Sequence, residues 1–201
     1  MKNSLYLFLL VCFGSCVPDG NDLPQVGLIR DQTIDIQGDA RQYHLFLPSE
    51  PANAPLVLLF HGNGGSHDAL LGLGSTRAPY KVWLDLAERE QLILAVPNGC
   101  MGSSSQRGWN DCRADTPTNP QKDDVLFVRS LIDFLVQTYP VDARRIYALG
   151  TSNGGHFCLR LAEDMPDQLT AFGAILASSA AQSKCDTATV PISALIMNGT
   201  A

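Results

Sequence analysis

The sequence has little charge and no excess of basic residues. Only 17% of its 201 residues are charged, and 20 acidic residues outnumber 14 basic ones to give a net charge of −6. Binding driven by nucleic-acid phosphates requires a basic surface, so we expect no nucleic-acid partner. With 45% hydrophobic residues, the chain instead has the composition of one soluble domain with a sizeable core.

No apolar run near the start of the chain is long enough to cross a bilayer. The run over residues 5–13 is too short to span, and it follows the positive charge of Lys2, as in an export signal. The pair Gly14-Ser15 before Cys16 resembles the lipobox of bacterial lipoproteins, in which the cysteine is lipidated, although Phe13 stands where Leu is usual. Ordinary secretory cleavage is the alternative. We therefore expect an export segment (1–16), a tether (17–30) and a domain (31–201) that is extracellular or periplasmic and contacts the membrane only through a lipid anchor.

The cysteines and histidines lack the spacing of a metal site. There is no C-x-x-C pair and no histidine cluster at ligand spacing, so we expect no metal ion, and we expect no cofactor. After export, Cys100, Cys112, Cys158 and Cys185 meet oxidising conditions and allow three pairings. Cys100 and Cys112 flank one loop and are the easiest to join, so we predict that disulfide. Cys158 is equally compatible with a small buried apolar role.

Hydrophobic patterning predicts alternating strands and helices. A turn signal at Gly38-Asp39 indicates an antiparallel hairpin, and continuous apolar runs predict strands that are buried on both faces. We place strands at residues 33–36, 42–47, 56–60, 92–97, 145–149, 172–177 and 192–198, and helices at 82–90 and 123–139. The chain is therefore assigned to the α/β class, with a mostly parallel sheet, an antiparallel N-terminal hairpin and helices on both faces.

A long loop, residues 98–122, precedes the second predicted helix. Loops of this length in compact domains tend to bind ligands. Asp123 and Asp124 follow it, and helix capping together with the helix dipole explains this pair better than a paired-carboxylate acid/base site does.

The most informative stretch is Gly150-Thr151-Ser152-Asn153-Gly154, which reads G-x-S-x-G between a predicted strand and a predicted helix. In a nucleophile elbow the serine occupies a strained turn, so small residues are needed two positions before and after it. The backbone N–H of the next residue, Asn153, then faces the oxygen of a substrate carbonyl. A glycine-containing loop that happens to carry a serine is the alternative.

Ser152 would need a histidine as its base, and the sequence has four histidines. His156 lies four residues after Ser152 on the same predicted helix, and His44 and His67 fit surface or structural roles, so none of these three is a persuasive base. His61 opens a glycine-rich turn, residues 61–65, after a buried strand. We predict that the N–H of Asn63 in this turn is the second oxyanion donor. A phosphate-binding loop is the alternative, but the Walker lysine and the G-x-G-x-x-G spacing are absent.

With HGNGG, the buried strands and GTSNGG in this order, the chain resembles the α/β-hydrolase fold. More narrowly, it is similar to the group of secreted or lipid-anchored bacterial esterases that includes polyhydroxybutyrate depolymerases, feruloyl esterases and acetylxylan esterases. Further matching segments are RQYHLFLP, LAVPNG, GWNDC, DDVLFVRSLID, VDARRIYALG and PISALIMNGTA, so the resemblance covers about residues 41–201. It implies that Ser152 is the nucleophile, that Asn63 and Asn153 are the oxyanion donors, and that Trp109 lies in a substrate-facing loop. Trp109 as a loop anchor is the alternative.

The resemblance also implies a catalytic acid and a histidine after the elbow, in the order Ser, acid, His. Asp186 precedes the last predicted strand, which is the wrong place for the acid, and no histidine follows His156. We therefore expect a truncated hydrolase domain that lacks its last strand and helix, and a fragment that is inactive alone. The full-length protein is expected to be an exported serine hydrolase of hydroxyalkanoate, feruloyl or acetyl esters. A peptidase on the same fold and a non-catalytic binding module are the alternatives.

Overall fold

The structure is a computed structural model and describes residues 25–74, 82–185 and 190–199. Within these ranges the main sheet has seven strands in the order β1-β2-β4-β3-β7-β8-β9, and β5 and β6 form a separate hairpin. The strands are β1 (Gly27–Ile36), β2 (Asp39–Leu47), β3 (Ala54–Phe60), β4 (Ile93–Pro97), β5 (Cys100–Met101), β6 (Arg107–Gly108), β7 (Val141–Thr151), β8 (Ala171–Ile175) and β9 (Ser193–Met197). The helices are α1 (His67–Leu70), α2 (Val82–Arg89), α3 (Asp124–Thr138) and α4 (Asn153–Asp164).

The predicted N-terminal hairpin is present and is longer than expected. Strand β1 pairs antiparallel with β2, and β2 pairs antiparallel with β4, whereas the pairs β4–β3, β3–β7, β7–β8 and β8–β9 are parallel. The turn lies at Gln37 and Gly38, whose φ angles of 56° and 86° suit the right-handed twist of a two-residue hairpin. Residues 27–30 were predicted to belong to the tether. Here the prediction is wrong, because they form the start of β1, where Leu28 and Ile29 pair with Phe46 and Leu45.

Helices cover both faces of the sheet, as predicted. On one face, α3 and α4 pack against alternate residues of β3, including Leu56, Leu58 and Phe60. On the other face, α1 and α2 contribute Leu70 and Ala87 to a second apolar cluster with Leu59 of β3. Since successive side chains of a strand point to opposite faces, the continuous apolar run of β3 fills both clusters. The parallel strands of this two-sided core end at one edge of the sheet, where the candidate site lies.

The predictions for the start of the chain fall outside the described residues. The export segment, with Cys16 as its lipidation site, lies within residues 1–24, and the structure does not describe these residues. In the part of the chain that is described, none of the helices combines the length and the apolar character that crossing a membrane requires.

Candidate active site

Ser152 lies on the turn between β7 and α4 and is exposed. Its backbone has φ 56° and ψ −123°, a combination that a residue with a Cβ atom rarely adopts. A Cβ atom on Gly150 would lie 2.2 Å from the carbonyl oxygen of Gly154, and one on Gly154 would lie 2.3 Å from that of Phe60. Glycine is therefore required at both positions, and the motif G-x-S-x-G forms the tight strand–turn–helix that its pattern predicts.

The glycine-rich turn after β3 packs directly against this elbow. A Cβ atom on Gly62 would lie 3.2 Å from Thr151 O and 3.4 Å from the Cβ atom of Ser152. The turn, the start of α1 and Thr151 together line an open cavity of about 360 Å³. This cavity lies at the carboxyl ends of β3 and β7, the edge at which parallel sheets bind ligands.

The predicted oxyanion donors are the backbone N–H groups of Asn63 and Asn153. The first N–H groups of a helix have no carbonyl acceptor within it. In α4 the first N–H that bonds in the helical pattern is that of His156, which donates to Ser152 O at 2.9 Å, so the N–H of Asn153 comes before the hydrogen-bonded turns. In the turn, Gly64 N donates to Arg107 O at 2.7 Å and Gly65 N donates to Gly62 O at 3.0 Å. Among the described residues neither Asn63 N nor Asn153 N has an acceptor, so both donors are compatible with binding an oxyanion.

His61 joins the glycine-rich turn to the loop after β4. Its Nδ1 lies 2.8 Å from Gly62 O, and its Nε2 accepts from Gly99 N at 3.0 Å. Because a backbone N–H can only donate, Nε2 carries the lone pair and Nδ1 carries the proton. Burial lowers the pKa of His61 to about 4, so the ring is neutral at pH 7. Both ring nitrogens are used, and His61 is a structural residue.

Among the described residues, no histidine ring nitrogen hydrogen-bonds the hydroxyl of Ser152. His156 is half-buried on α4, and burial lowers its pKa. The prediction that His44 and His67 have structural roles agrees with their burial, since their exposed fractions are 0% and 5%. The two rings stack with their centroids 3.7 Å apart.

His44 and His67 also lie beside Asp31, at a bulge in β1, and the potential ligand atoms of the three residues are within 4.8 Å of one another. Sequence spacing did not reveal this cluster. His44 Nδ1 accepts from Asp31 N at 3.0 Å, its Nε2 lies 3.0 Å from Asp68 Oδ1, and His67 Nδ1 accepts from Asp68 N at 2.8 Å. Both rings therefore carry their proton on Nε2, and the His67 proton faces the Asp31 carboxylate at 3.8 Å. This bonding leaves no free lone pair on either ring for a metal ion.

The structure corrects the prediction that Trp109 faces the substrate. The side chain is 0% exposed, its ring stacks on Phe157 at 5.1 Å, and its Nε1 donates to His61 O at 2.9 Å. An indole buried in this way satisfies its one donor internally and packs like a core residue. Trp109 anchors its loop beneath the glycine-rich turn.

Asp123 and Asp124 have different roles, although they are adjacent. Asp123 caps α3 by accepting from Leu126 N at 2.9 Å, as predicted. Asp124 is fully buried, accepts from Arg41 at 2.6 Å and from Asn110 N at 2.8 Å, and so fixes the long loop to the sheet. Asp124 lies in the first turn of α3, as the helix-dipole part of the prediction expects, and these two bonds give it a further role that the prediction did not include. Its ion pair joins residues 83 positions apart, which no local pattern reveals.

The disulfide pairing also differs from the prediction. Cys112 is bonded to Cys185, with 5.6 Å between the Cα atoms, whereas Cys100 and Cys158 have no disulfide partner among the described residues. Cys100 lies in β5, and its partner in the antiparallel pair with β6 is Gly108, not a cysteine. The segment that carries Cys185 runs beside the loop instead, since Lys184 N donates to Cys112 O at 2.8 Å.

Comparison with characterised proteins supports the resemblance seen in the sequence. No family model matches the chain. The chain is 32% identical over 139 residues to NocK of Nocardia uniformis subsp. tsuyamanensis, which is provisionally named an esterase; the match covers 67% of this chain and 37% of NocK. It is 29% identical over 137 residues to the bifunctional acetylxylan esterase/xylanase XynS20E of Neocallimastix patriciarum (68% and 18% covered), and 29% identical over 127 residues to feruloyl esterase B of Thermothelomyces thermophilus (63% and 40% covered). The matches therefore span less than half the length of each of these relatives.

Solved structures support the fold. A thermostable esterase superposes with a TM-score of 0.54 at 23% identity, covering 74% of this chain and 40% of that structure. A ferulic acid esterase superposes with a TM-score of 0.55 at 18% identity, covering 74% and 56%. Together with the sheet order and the elbow, these similarities show that the chain has the α/β-hydrolase fold, and its sequence is similar to those of curated feruloyl, acetylxylan and related esterases.

Proposed function

We propose that the full-length protein is an exported serine carboxylic-ester hydrolase and that Ser152 is its nucleophile. The observation that carries this proposal is the elbow: an exposed serine on a strained turn, beside two backbone N–H groups that have no acceptor in the described part of the chain, at the edge of an open cavity. The names of the similar proteins support ester substrates. The disulfide between Cys112 and Cys185 supports export, because such bonds persist in oxidising compartments.

In the proposed reaction, Ser152 Oγ attacks the ester carbonyl carbon while a general base takes the hydroxyl proton. The carbonyl oxygen becomes an oxyanion and accepts hydrogen bonds from the N–H groups of Asn63 and Asn153. Collapse of this intermediate expels the alcohol, which receives the proton from the base, and leaves an acyl group on Ser152. Water then attacks the acyl carbonyl by the same route, releases the carboxylic acid and restores the serine.

The base and its acid partner are not found among the described residues. Both ring nitrogens of His44 and of His61 already have other partners. The Nε2 proton of His67 faces Asp31. His156 belongs to α4, the helix that begins directly after Ser152, so the helix sets the direction of its side chain. Because the matches cover at most 40% of the relatives named above, we propose that a longer form of the protein supplies the histidine and the acid that the resemblance implies. We expect residues 1–201 alone to hydrolyse esters far more slowly than the full-length protein, since an oxyanion site without its base retains only a small part of the rate enhancement.

The substrate proposal covers acetyl, feruloyl and hydroxyalkanoate esters. The cavity of about 360 Å³ is within the usual size range of small-molecule sites and is lined largely by backbone of the glycine-rich turn. Anchoring to a membrane through Cys16 remains part of the proposal for the exported protein.

The test is hydrolysis of acetyl, feruloyl and 3-hydroxybutyryl aryl esters by the full-length protein, with Ser152→Ala beside Ser130→Ala, a serine on α3 away from the site. We expect Ser152→Ala to lower kcat by at least about 10⁴-fold and Ser130→Ala to leave it unchanged. Matched amide substrates distinguish a peptidase. If the wild-type protein turns over none of these substrates, the proposed activity is wrong and a non-catalytic module is favoured; if Ser152→Ala keeps the wild-type rate, the proposed nucleophile is wrong.

A further inference from the structure

Residues 106–111 contact both of the residues that carry the proposed oxyanion donors, and we call this segment the brace. On one side, Asn63 Nδ2 donates to Gln106 Oε1 at 2.6 Å. The next residue of the glycine-rich turn, Gly64, donates its backbone N–H to Arg107 O at 2.7 Å. The conformation of the turn is thus tied to the brace by one side-chain and one backbone hydrogen bond.

On the other side, the brace holds the side chain of Asn153, the residue after Ser152. Asn153 Oδ1 accepts from Trp109 N at 2.8 Å, while its Nδ2 donates to Trp109 O at 3.1 Å and to Asp111 Oδ2 at 2.7 Å. The orientation of the amide is unambiguous, because a backbone N–H only donates and a carboxylate only accepts. Asn153 is 1% exposed, so losing any of these bonds leaves a buried polar group without a partner.

Gly108 lies between the two side chains. A Cβ atom on Gly108 would be 2.8 Å from Asn153 Oδ1 and 3.3 Å from Asn63 Oδ1. Only glycine lets the brace approach both residues at once. The close approach makes the separation of Asn63 and Asn153 depend on the backbone of the brace.

The strained backbone of the elbow has to be stabilised by contacts from other parts of the chain. A backbone as strained as that of Ser152 persists only when its surroundings determine it. The ψ angle of Ser152 sets the direction of the Asn153 N–H, and the carboxamide of Asn153 ties that residue to Trp109 and Asp111 of the brace. We propose that the brace positions the Asn63 and Asn153 N–H groups for the oxyanion, with Asn153 acting through its side chain as a positioning residue. This inference rests on the proposed esterase function.

The experiment compares three variants of the full-length protein. Asn153→Ala removes the buried side-chain bonds, and Gln106→Ala removes only the exposed bond to Asn63 and is expected to fold. Thr170→Val is the control, because it removes two hydrogen bonds near the start of β8, at the opposite end of that strand from the elbow. We expect Asn153→Ala to lower kcat by about 10- to 100-fold, Gln106→Ala to lower it several-fold, and KM to change little, as when a transition-state contact is misplaced.

A conservative swap tests the direction of the hydrogen bonds. Asn153→Asp places a carboxylate against that of Asp111, and we expect a loss of kcat as large as in Asn153→Ala. Adding Asp111→Asn restores a donor–acceptor pair at this contact and is expected to recover part of the rate. A swap that recovers nothing, together with unchanged kcat in Gln106→Ala, overturns the inference.

Hydrogen exchange gives a readout that needs no turnover. We expect Asn153→Ala to speed exchange by at least about tenfold in peptides that cover residues 60–66 and 149–156, and Thr170→Val to leave both unchanged. Exchange that is unchanged in both peptides refutes the brace even if the protein is an active esterase. Faster exchange in a protein that hydrolyses no ester supports the brace as a structural hold and refutes the proposed function alone.

Discussion

Replacing Trp109 distinguishes a loop anchor from a substrate contact. Trp109→Phe keeps an aromatic ring on Phe157 but leaves His61 O without the indole donor. A buried acceptor that loses its partner costs about 1–3 kcal/mol. Trp109→Ala also removes the ring from a fully buried position, for which about 3–5 kcal/mol is typical. We therefore expect the free energy of unfolding to be highest for the wild type, lower for Trp109→Phe and lowest for Trp109→Ala.

The assay is urea unfolding followed by far-ultraviolet circular dichroism, because replacing a tryptophan changes the fluorescence signal itself. Trp83→Phe is the matched control: it is the other tryptophan, lies on α2 and is only partly buried, so we expect it to cost less than about 1 kcal/mol. A shift in the midpoint at constant m-value reports stability alone. Trp109→Phe with wild-type stability and a raised KM would show instead that the indole contacts the substrate.

Two further predictions concern pH and the disulfide. The pKa of His61 is about 4 in the folded chain, against an ordinary value of 6.5. Between these two pH values the unfolded chain binds more protons than the folded chain. The free energy of unfolding therefore falls as the pH decreases from 6.5 to 4, by up to about 3 kcal/mol for this residue. His61→Gln should flatten this slope in urea titrations, and an unchanged slope contradicts the assignment. Cys112→Ser should cost about 4 kcal/mol, since its disulfide spans 73 residues, while Cys100→Ser should cost little; the reverse order in urea unfolding contradicts the pairing.

The fold was predictable because its signals are local. The run Leu56 to Phe60 is apolar without interruption, which is typical of a strand buried on both faces, and the structure places it between the two apolar clusters. The glycines around Ser152 likewise have one explanation, since each would collide with backbone if it carried a Cβ atom. Such features depend on residues a few positions apart.

The rest of the site was not predictable because its contacts join distant residues. Asn153 and Asp111 are 42 positions apart, Arg41 and Asp124 are 83, and the disulfide joins Cys112 to a cysteine 73 residues away. No periodicity or turn signal encodes such pairs. The loop of residues 98–122 was assigned to binding from its length and composition, whereas much of its polar surface is used to fix it to the fold.

The central claim is that Ser152 is the nucleophile, and the most direct measurement is the position of a covalent adduct. The full-length protein is treated with an activated fluorophosphonate, digested and examined by peptide mass spectrometry. The account predicts a single stoichiometric adduct on Ser152, loss of ester hydrolysis in step with labelling, and no adduct in Ser152→Ala. An active esterase that is labelled at another residue, or that keeps its rate with Ser152 modified, would contradict the account.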